Sequence, residues 1–194
     1  MKAVVTRNGL IFLSLLLIAE IFFGTLLHEG AHWLAGELLG YDMQAGFGRA
    51  WSVGAIESEN PVRDAQIITI AGPVFTVAVA FVGFLLCVFA NQLWAYTLIF
   101  SALYQRALAM VLSYVSKPND EARISTSLGW EWWVAPSIVV GFLLVLCVAA
   151  AWRHRIGWPV QLLFYVMCSI GYSLVVFVDG QFPGFRHASP VIFP

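Results

Sequence analysis

Charge is what this 194-residue chain has least of. Asp, Glu, Lys and Arg together make up 11% of it, where a soluble domain carries about 25%. The ten basic and eleven acidic residues leave a formal net charge of −1, which excludes the basic footprint of a nucleic-acid-binding protein. Cysteine is nearly as scarce. Cys87, Cys147 and Cys168 all lie inside apolar runs; they form no disulfide framework and read as small buried hydrophobes. Room for a separate soluble domain is also missing. The longest polar stretches are residues 37–65 and 116–132. No internal repeat and no low-complexity tract breaks the chain.

What is abundant is apolar. Hydrophobic residues account for 60% of the sequence, and the mean hydropathy is +0.83. A membrane-crossing helix needs about 20 mostly apolar residues, and five stretches qualify: 8–30, 66–90, 92–115, 133–152 and 159–178. The expected fold is therefore all-α: a polytopic membrane helix bundle of about five transmembrane helices, forming one membrane-embedded domain over 1–194. The expected location is a multi-pass position in a prokaryotic cell membrane. Lys2 and Arg7 ahead of the first apolar run have the look of a secretion signal. No small-x-small cleavage site follows, and we read the run as the first span.

Five spans alternate sides. Lys2, Arg7, Arg153 and Arg155 fall on the N-terminal side, packed in short flanks without acids. Arg49, Arg63, Lys117, Arg123 and Arg186 fall on the other side. The density of basic flanks weakly favours a cytoplasmic N-terminal side.

Directly after the first apolar run stands LLHEGAHWLAGELLG, with His28-Glu29-Gly30-Ala31-His32. Residues four apart on an α-helix lie about 40° apart around the axis. His28 and His32 thus present their imidazoles from one face, as two ligands of a zinc ion must. Glu29, one step round, is placed to move a proton to and from water. Gly30 and Ala31 are small and are expected to let a neighbouring helix approach. Two histidines and a carboxylate beside a bilayer are costly unless they have a task. A catalytic zinc usually takes three protein ligands. The candidates on the same side of the membrane are Asp120, Glu121, Asp179 and His187; Glu37 points away from the histidine face.

These residues resemble the site-2 protease family of intramembrane zinc metallopeptidases. HEGAHWLAGELLG is similar to that family's first core helix. ITIAGPVFTVAVA, with Gly72-Pro73, is similar to its second element. SKPNDEARISTSLG, with Asp120, occupies the place of the third, which supplies an Asp ligand. The resemblance covers about residues 10–130; the helices over 133–178 carry none of it. It implies zinc held by His28, His32 and Asp120, with Glu29 as catalytic base. It also implies substrates that are transmembrane proteins within the lipid bilayer. Two departures stand out. Glu121 replaces the Gly that usually follows the Asp, and the usual upstream Asn is absent, Ser113 being the nearest polar residue. Asp179, in VVFVDGQFPG, has the Asp-Gly pair and competes with Asp120.

Three further features carry expectations. Glu20 and Arg106 lie deep in their spans at matching depths, and we expect them to pair. FGRAWSVGAIE, punctuated by glycines, has two readings: a short strand or β-hairpin at the interface, or a loop anchored there by Trp51. In the resembling family a strand near the site is thought to bind substrate in extended form. The tryptophans of 129–133 read as an interfacial belt. The leading functional expectation is an intramembrane zinc endopeptidase. The alternatives are a non-proteolytic scaffold or regulator of the same fold, and a small transporter using Glu20, Arg106 and the histidines.

Overall fold

The computed structural model describes residues 6–53, 58–115 and 117–181, with side chains to residue 178. The architecture is the expected helix bundle. In chain order it runs α1 (Arg7–Leu38), β1 (Met43–Ala45), β2 (Ala50–Ser52), α2 (Pro61–Val88), α3 (Tyr96–Leu112), α4 (Asp120–Ser127), α5 (Val134–His154) and α6 (Trp158–Gln181). Five helices are long and apolar enough to cross a membrane; the third begins at Leu93 with a 3₁₀ turn that leads into α3.

Helix α1 is longer than its apolar run. At 1.5 Å per residue its 32 residues extend about 48 Å, well beyond the roughly 30 Å hydrocarbon core. The histidine motif therefore stands inside the helix and not at its end. Leu39 caps it, and Gly40 takes φ +86°, a left-handed position that suits glycine. Gly40 N–H donates to the Glu37 carbonyl and Tyr41 N–H to the Gly36 carbonyl, both at 3.0 Å, which is the Schellman ending. Side-chain caps start the other polar-flanked helices. Asn60 Oδ1 accepts from Arg63 N–H (3.1 Å) ahead of Pro61, and Asn119 Oδ1 accepts from Ala122 N–H (2.9 Å).

The bundle interior is apolar and aromatic. Leu13, Leu17 and Ile21 of α1 meet Tyr96, Ile99 and Phe100 of α3, Leu146 and Cys147 of α5, and Phe164 and Cys168 of α6. All three cysteines are free and buried. The outward faces carry Phe12, Leu15, Phe23, Val82, Val145 and Val176 exposed, an apolar girdle that water would penalise and lipid would not. Trp130, Trp133, Trp152 and Trp158 are exposed at helix ends, where an aromatic belt belongs.

The hairpin reading of the 37–65 stretch holds, in a narrower form. β1 and β2 pair antiparallel, Met43 opposite Ser52, Gln44 opposite Trp51 and Ala45 opposite Ala50. Phe47 and Arg49, which we expected in the strand, form its turn. Trp51 is buried, so it does not anchor a loose loop. Close packing under the hairpin falls at Gly36, where a Cβ would strike the Met43 side chain.

Candidate metal centre

Three helices deliver the polar groups to one end of the bundle. α1 brings His28, Glu29 and His32. α2 crosses it with Ile68, Gly72 and Thr76, three residues four apart and hence on one face. The short helix α4 opens with Asp120. His28, His32 and Asp120 come together so that their ligand atoms could hold a metal ion. His28 Nε2 lies 3.3 Å from Asp120 Oδ2, His32 Nε2 lies 3.4 Å from the same oxygen, and the two Nε2 atoms are 3.3 Å apart. In a tetrahedral shell with bonds of about 2.0–2.1 Å, neighbouring donors are separated by about 3.3–3.4 Å. The triangle has the edges such an ion requires.

The hydrogen-bond partners behind the rings fix which nitrogens face inward. His32 Nδ1 meets the Ile68 carbonyl (2.6 Å), which can only accept, so Nδ1 carries the proton. His28 Nδ1 meets Thr76 Oγ1 at 2.9 Å, and that hydroxyl donates to the Gly72 carbonyl at 3.1 Å. Its remaining role toward His28 is as acceptor. In both neutral imidazoles, then, the Nε2 lone pair points at the other and at Asp120. Three lone-pair donors in mutual contact repel unless a positive charge joins them, as a proton or as a metal ion. This is the outer-shell pattern of metal-binding histidines. Burial by itself would raise the Asp120 carboxyl. Where a proton is the joining charge, the Nε2–H it creates on His28 or His32 outweighs burial and holds the carboxyl well below the usual carboxylate range, in the ionised form that ligates.

Gly72 makes this approach feasible. A Cβ there would come within 2.6 Å of His28 Cε1 and 2.7 Å of His28 Nε2, and would strike His32 Nε2 as well. The expected close approach at Gly30 is absent: a Cβ there meets nothing within 4 Å. Pro73 follows Gly72 inside α2 and removes the N–H that would have bonded the carbonyl of Thr69.

The expected Glu20–Arg106 pair does not form. Arg106 is buried and places Nη1 3.2 Å from Glu121 Oε1 and 3.9 Å from Asp120 Oδ2. Glu121 Oε2 accepts from Asn119 Nδ2 (2.8 Å). Glu121 is thus an anchor behind the cluster and not a ligand within it. Matching depth was the basis of the expected pair. Depth says nothing of azimuth, and Glu20 instead borders a small cavity with Gln105, Ser101 and Tyr172. Ser113 Oγ accepts from Asn119 N–H (3.0 Å) and donates to the Ala109 carbonyl (2.9 Å), which ties down the approach to α4. Glu37 turns to the hairpin, accepting from Met43 N–H at 2.9 Å. The Asp179 side chain and all of His187 lie outside the described residues.

A cavity of about 270 Å³ opens on the cluster, bordered by Glu29, His32, Asp120 and Arg123 on the helices and by Ala50, Trp51 and Ser52 of β2. Asp120 keeps 26% of its side chain exposed. One side of the ligand set therefore faces open space, with the Glu29 carboxylate in the same cavity. Thr76 and the Ile68 carbonyl escaped the sequence reading, and Arg106 was given the wrong partner. The spacing 68, 72, 76 was the available signal for the first two. No protein family, curated protein or solved structure that was compared matches this chain.

Proposed function

We propose that this chain is an intramembrane zinc metalloendopeptidase, as its resemblance to the site-2 protease family implies. The observation that carries the reading is the convergence of two Nε2 lone pairs and one carboxylate at tetrahedral-shell spacing, with both Nδ1 atoms already committed. Two imidazoles and one carboxylate are a ligand set of catalytic zinc, which leaves one coordination position for chemistry. Zinc, when bound, supplies Lewis acidity to the attacking water and to the scissile carbonyl.

The chain's own residues do the rest. His28, His32 and Asp120 hold the ion. Glu29 takes a proton from the attacking water as its oxygen bonds to the carbonyl carbon. It returns that proton to the amide nitrogen as the C–N bond breaks. Thr76 and the Ile68 carbonyl keep the imidazoles in the ligating tautomer. The site lies among α1, α2 and α4, beside an apolar girdle, so the substrate is a membrane-spanning protein cut at a locally unwound segment. A helical peptide bond is screened by its own hydrogen bonds.

The hairpin supports an extended substrate. β1's outer edge is already satisfied: Met43 N–H donates to Glu37 (2.9 Å) and Trp33 Nε1 donates to the Met43 carbonyl (3.0 Å). The cross-strand bonds Gly46 N–H to the Arg49 carbonyl and Val53 N–H to the Asp42 carbonyl, each 2.7 Å, set the ladder. Alternation then turns the N–H and C=O of Ala50 and Ser52 away from β1. That edge borders the cavity, and a strand added there would run past Glu29 and Asp120.

The decisive experiment measures zinc in the purified protein and cleavage of tagged transmembrane segments. Glu29→Gln is expected to keep stoichiometric zinc and lose cleavage, and Asp120→Ala to lose zinc. A zinc-free wild type refutes the metal reading. A phenotype that needs the protein but tolerates Glu29→Gln favours the alternative that Glu121 and the missing Asn suggest, a zinc-bearing scaffold.

A further inference from the structure

Ser52 ends β2 and borders the cavity that holds Glu29, His32 and Asp120. The residue is 8% exposed, and its Oγ is buried with no hydrogen-bond partner among the described residues. Buried hydroxyls in folded proteins are nearly always satisfied by protein or by water. Ser52 lines the cavity while its Oγ is turned into the wall, and a change of χ1 rotamer brings the hydroxyl to whatever enters. A hydroxyl can donate or accept, and the neighbouring groups decide which role is wanted. The helix side of the cavity presents the carboxylates of Glu29 and Asp120, both acceptors when ionised. Arg49 and Arg123 also line the cavity as charged donors, and Ser52 adds a neutral one on the strand edge itself.

The register explains why Ser52 stays open. Its opposite neighbour is Met43, whose side chain is apolar and whose backbone groups are taken by Glu37 and Trp33. Nothing from β1 reaches the hydroxyl. The other serine close to Asp120 cannot substitute for it, because Ser113 Oγ is engaged by Asn119 N–H and the Ala109 carbonyl. Ser52 also contributes its backbone N–H and C=O to the outer edge of β2, so a peptide laid along that edge brings its carbonyl groups to this residue.

We infer that the Ser52 hydroxyl is a catalytic residue: it donates to the substrate's carbonyl oxygen as that oxygen gains negative charge. The inference rests on the peptidase reading. A donor aimed at developing charge acts where no water competes, and so acts strongly.

A short, blocked, apolar phosphinic peptide, whose tetrahedral anion mimics the attacked carbonyl, tests this on the zinc-loaded protein. Acetohydroxamate serves as a second probe, because it binds the metal without spanning the cavity. Ser52→Ala is expected to keep its zinc and its acetohydroxamate affinity. Its affinity for the phosphinic peptide should fall on the order of tenfold to a hundredfold, and Ser52→Thr should recover most of it. Equal phosphinic affinity in wild type and Ser52→Ala overturns the role of Ser52 and leaves the peptidase reading standing. A wild type that binds acetohydroxamate but not the phosphinic peptide overturns both. A Ser52→Ala protein that loses zinc shows that the serine is structural and also overturns the inference.

Discussion

Gly72→Ala is the sharpest perturbation of the proposed centre, because it adds one methyl group at the point where two helices meet. The new carbon would lie 2.6 Å from His28 Cε1 and 2.7 Å from His28 Nε2. Ordinary contacts of this kind need about 3.5 Å, so the rings or α2 must move by at least about 0.9 Å. Metal–ligand distances tolerate only about 0.2 Å. The required shift is several times larger than the site can absorb, and the rings have little freedom. Thr76 holds one at 2.9 Å and the Ile68 carbonyl holds the other at 2.6 Å. Both partners belong to α2, so moving the helix away breaks the bonds that orient the ligands. Loss of such partners alone costs about 10–100-fold in metal affinity. With the ligands displaced as well, the expected loss is at least about 100-fold, or about 2.7 kcal/mol.

The same substitution favours the helix itself by about 1 kcal/mol, so helicity is expected to survive while the site fails. Competition with a chromogenic chelator gives the zinc affinity, and circular dichroism reports the fold. Gly30→Ala is the control. It sits inside the histidine motif, yet its Cβ meets nothing within 4 Å, and zinc affinity should hold within about twofold, since no outer-shell partner is touched. Wild-type affinity in Gly72→Ala would refute the close-approach argument, as would equal losses in the two variants.

Other perturbations separate the remaining parts. Thr76→Val removes the acceptor behind His28 and is expected to weaken zinc binding by about 10–100-fold, whereas Thr76→Ser should retain it; equal binding by all three proteins would show that the ring needs no fixed tautomer. Arg106→Met leaves the Glu121 carboxylate buried without its cation and should destabilise the protein by about 3–5 kcal/mol, read from its resistance to detergent unfolding. Arg106→Met combined with Glu121→Leu should recover most of that loss, and failure to recover would mean that Arg106 acts through something other than this pair. Ala50→Pro deletes an N–H that the β1–β2 ladder does not use; zinc should remain while processing of membrane-spanning substrates is lost, and undiminished cleavage would rule out pairing at this edge.

Much of the centre was legible because its signals are short-range or compositional. His28 and His32 share a face by helix geometry alone, and the five apolar runs give the spans directly. Gly72 and Asp120 stood out through the resembling motifs that hold them. What escaped depends on azimuth and on tertiary approach. Glu20 and Arg106 match in depth, but Arg106 turns toward α4 and takes Glu121. Gly30, a small residue in the obvious motif, faces open space, while the glycine that matters lies on the opposing helix. β1 was missed because three residues are too few to show alternation, and its pairing is completed by Trp33 and Glu37 from α1. The extension of α1 to Leu38 was hidden because hydropathy marks only the part of a helix that suits lipid. A helix continues as long as its backbone bonds do.

The departure at Glu121 weighs on the choice between enzyme and scaffold once Arg106 is considered with it. A carboxylate next to the presumed ligand would be damaging by itself, since two buried negative charges side by side disfavour ionisation of both. Here Glu121 arrives with a buried guanidinium at 3.2 Å and an Asn119 amide at 2.8 Å. The same Nη1 stands 3.9 Å from Asp120 Oδ2, so one cation serves both acids. A site without a task needs no such compensation. It could leave an unpaired polar group or close the cavity with a bulky apolar side chain. In this chain the cavity beside Glu29 stays open, both imidazoles keep their partners on Nδ1, and the charge of Glu121 is balanced by Arg106. These features fit a centre still shaped to hold a metal ion in reach of water, and they make loss of cleavage with retained zinc in Glu29→Gln the outcome to expect.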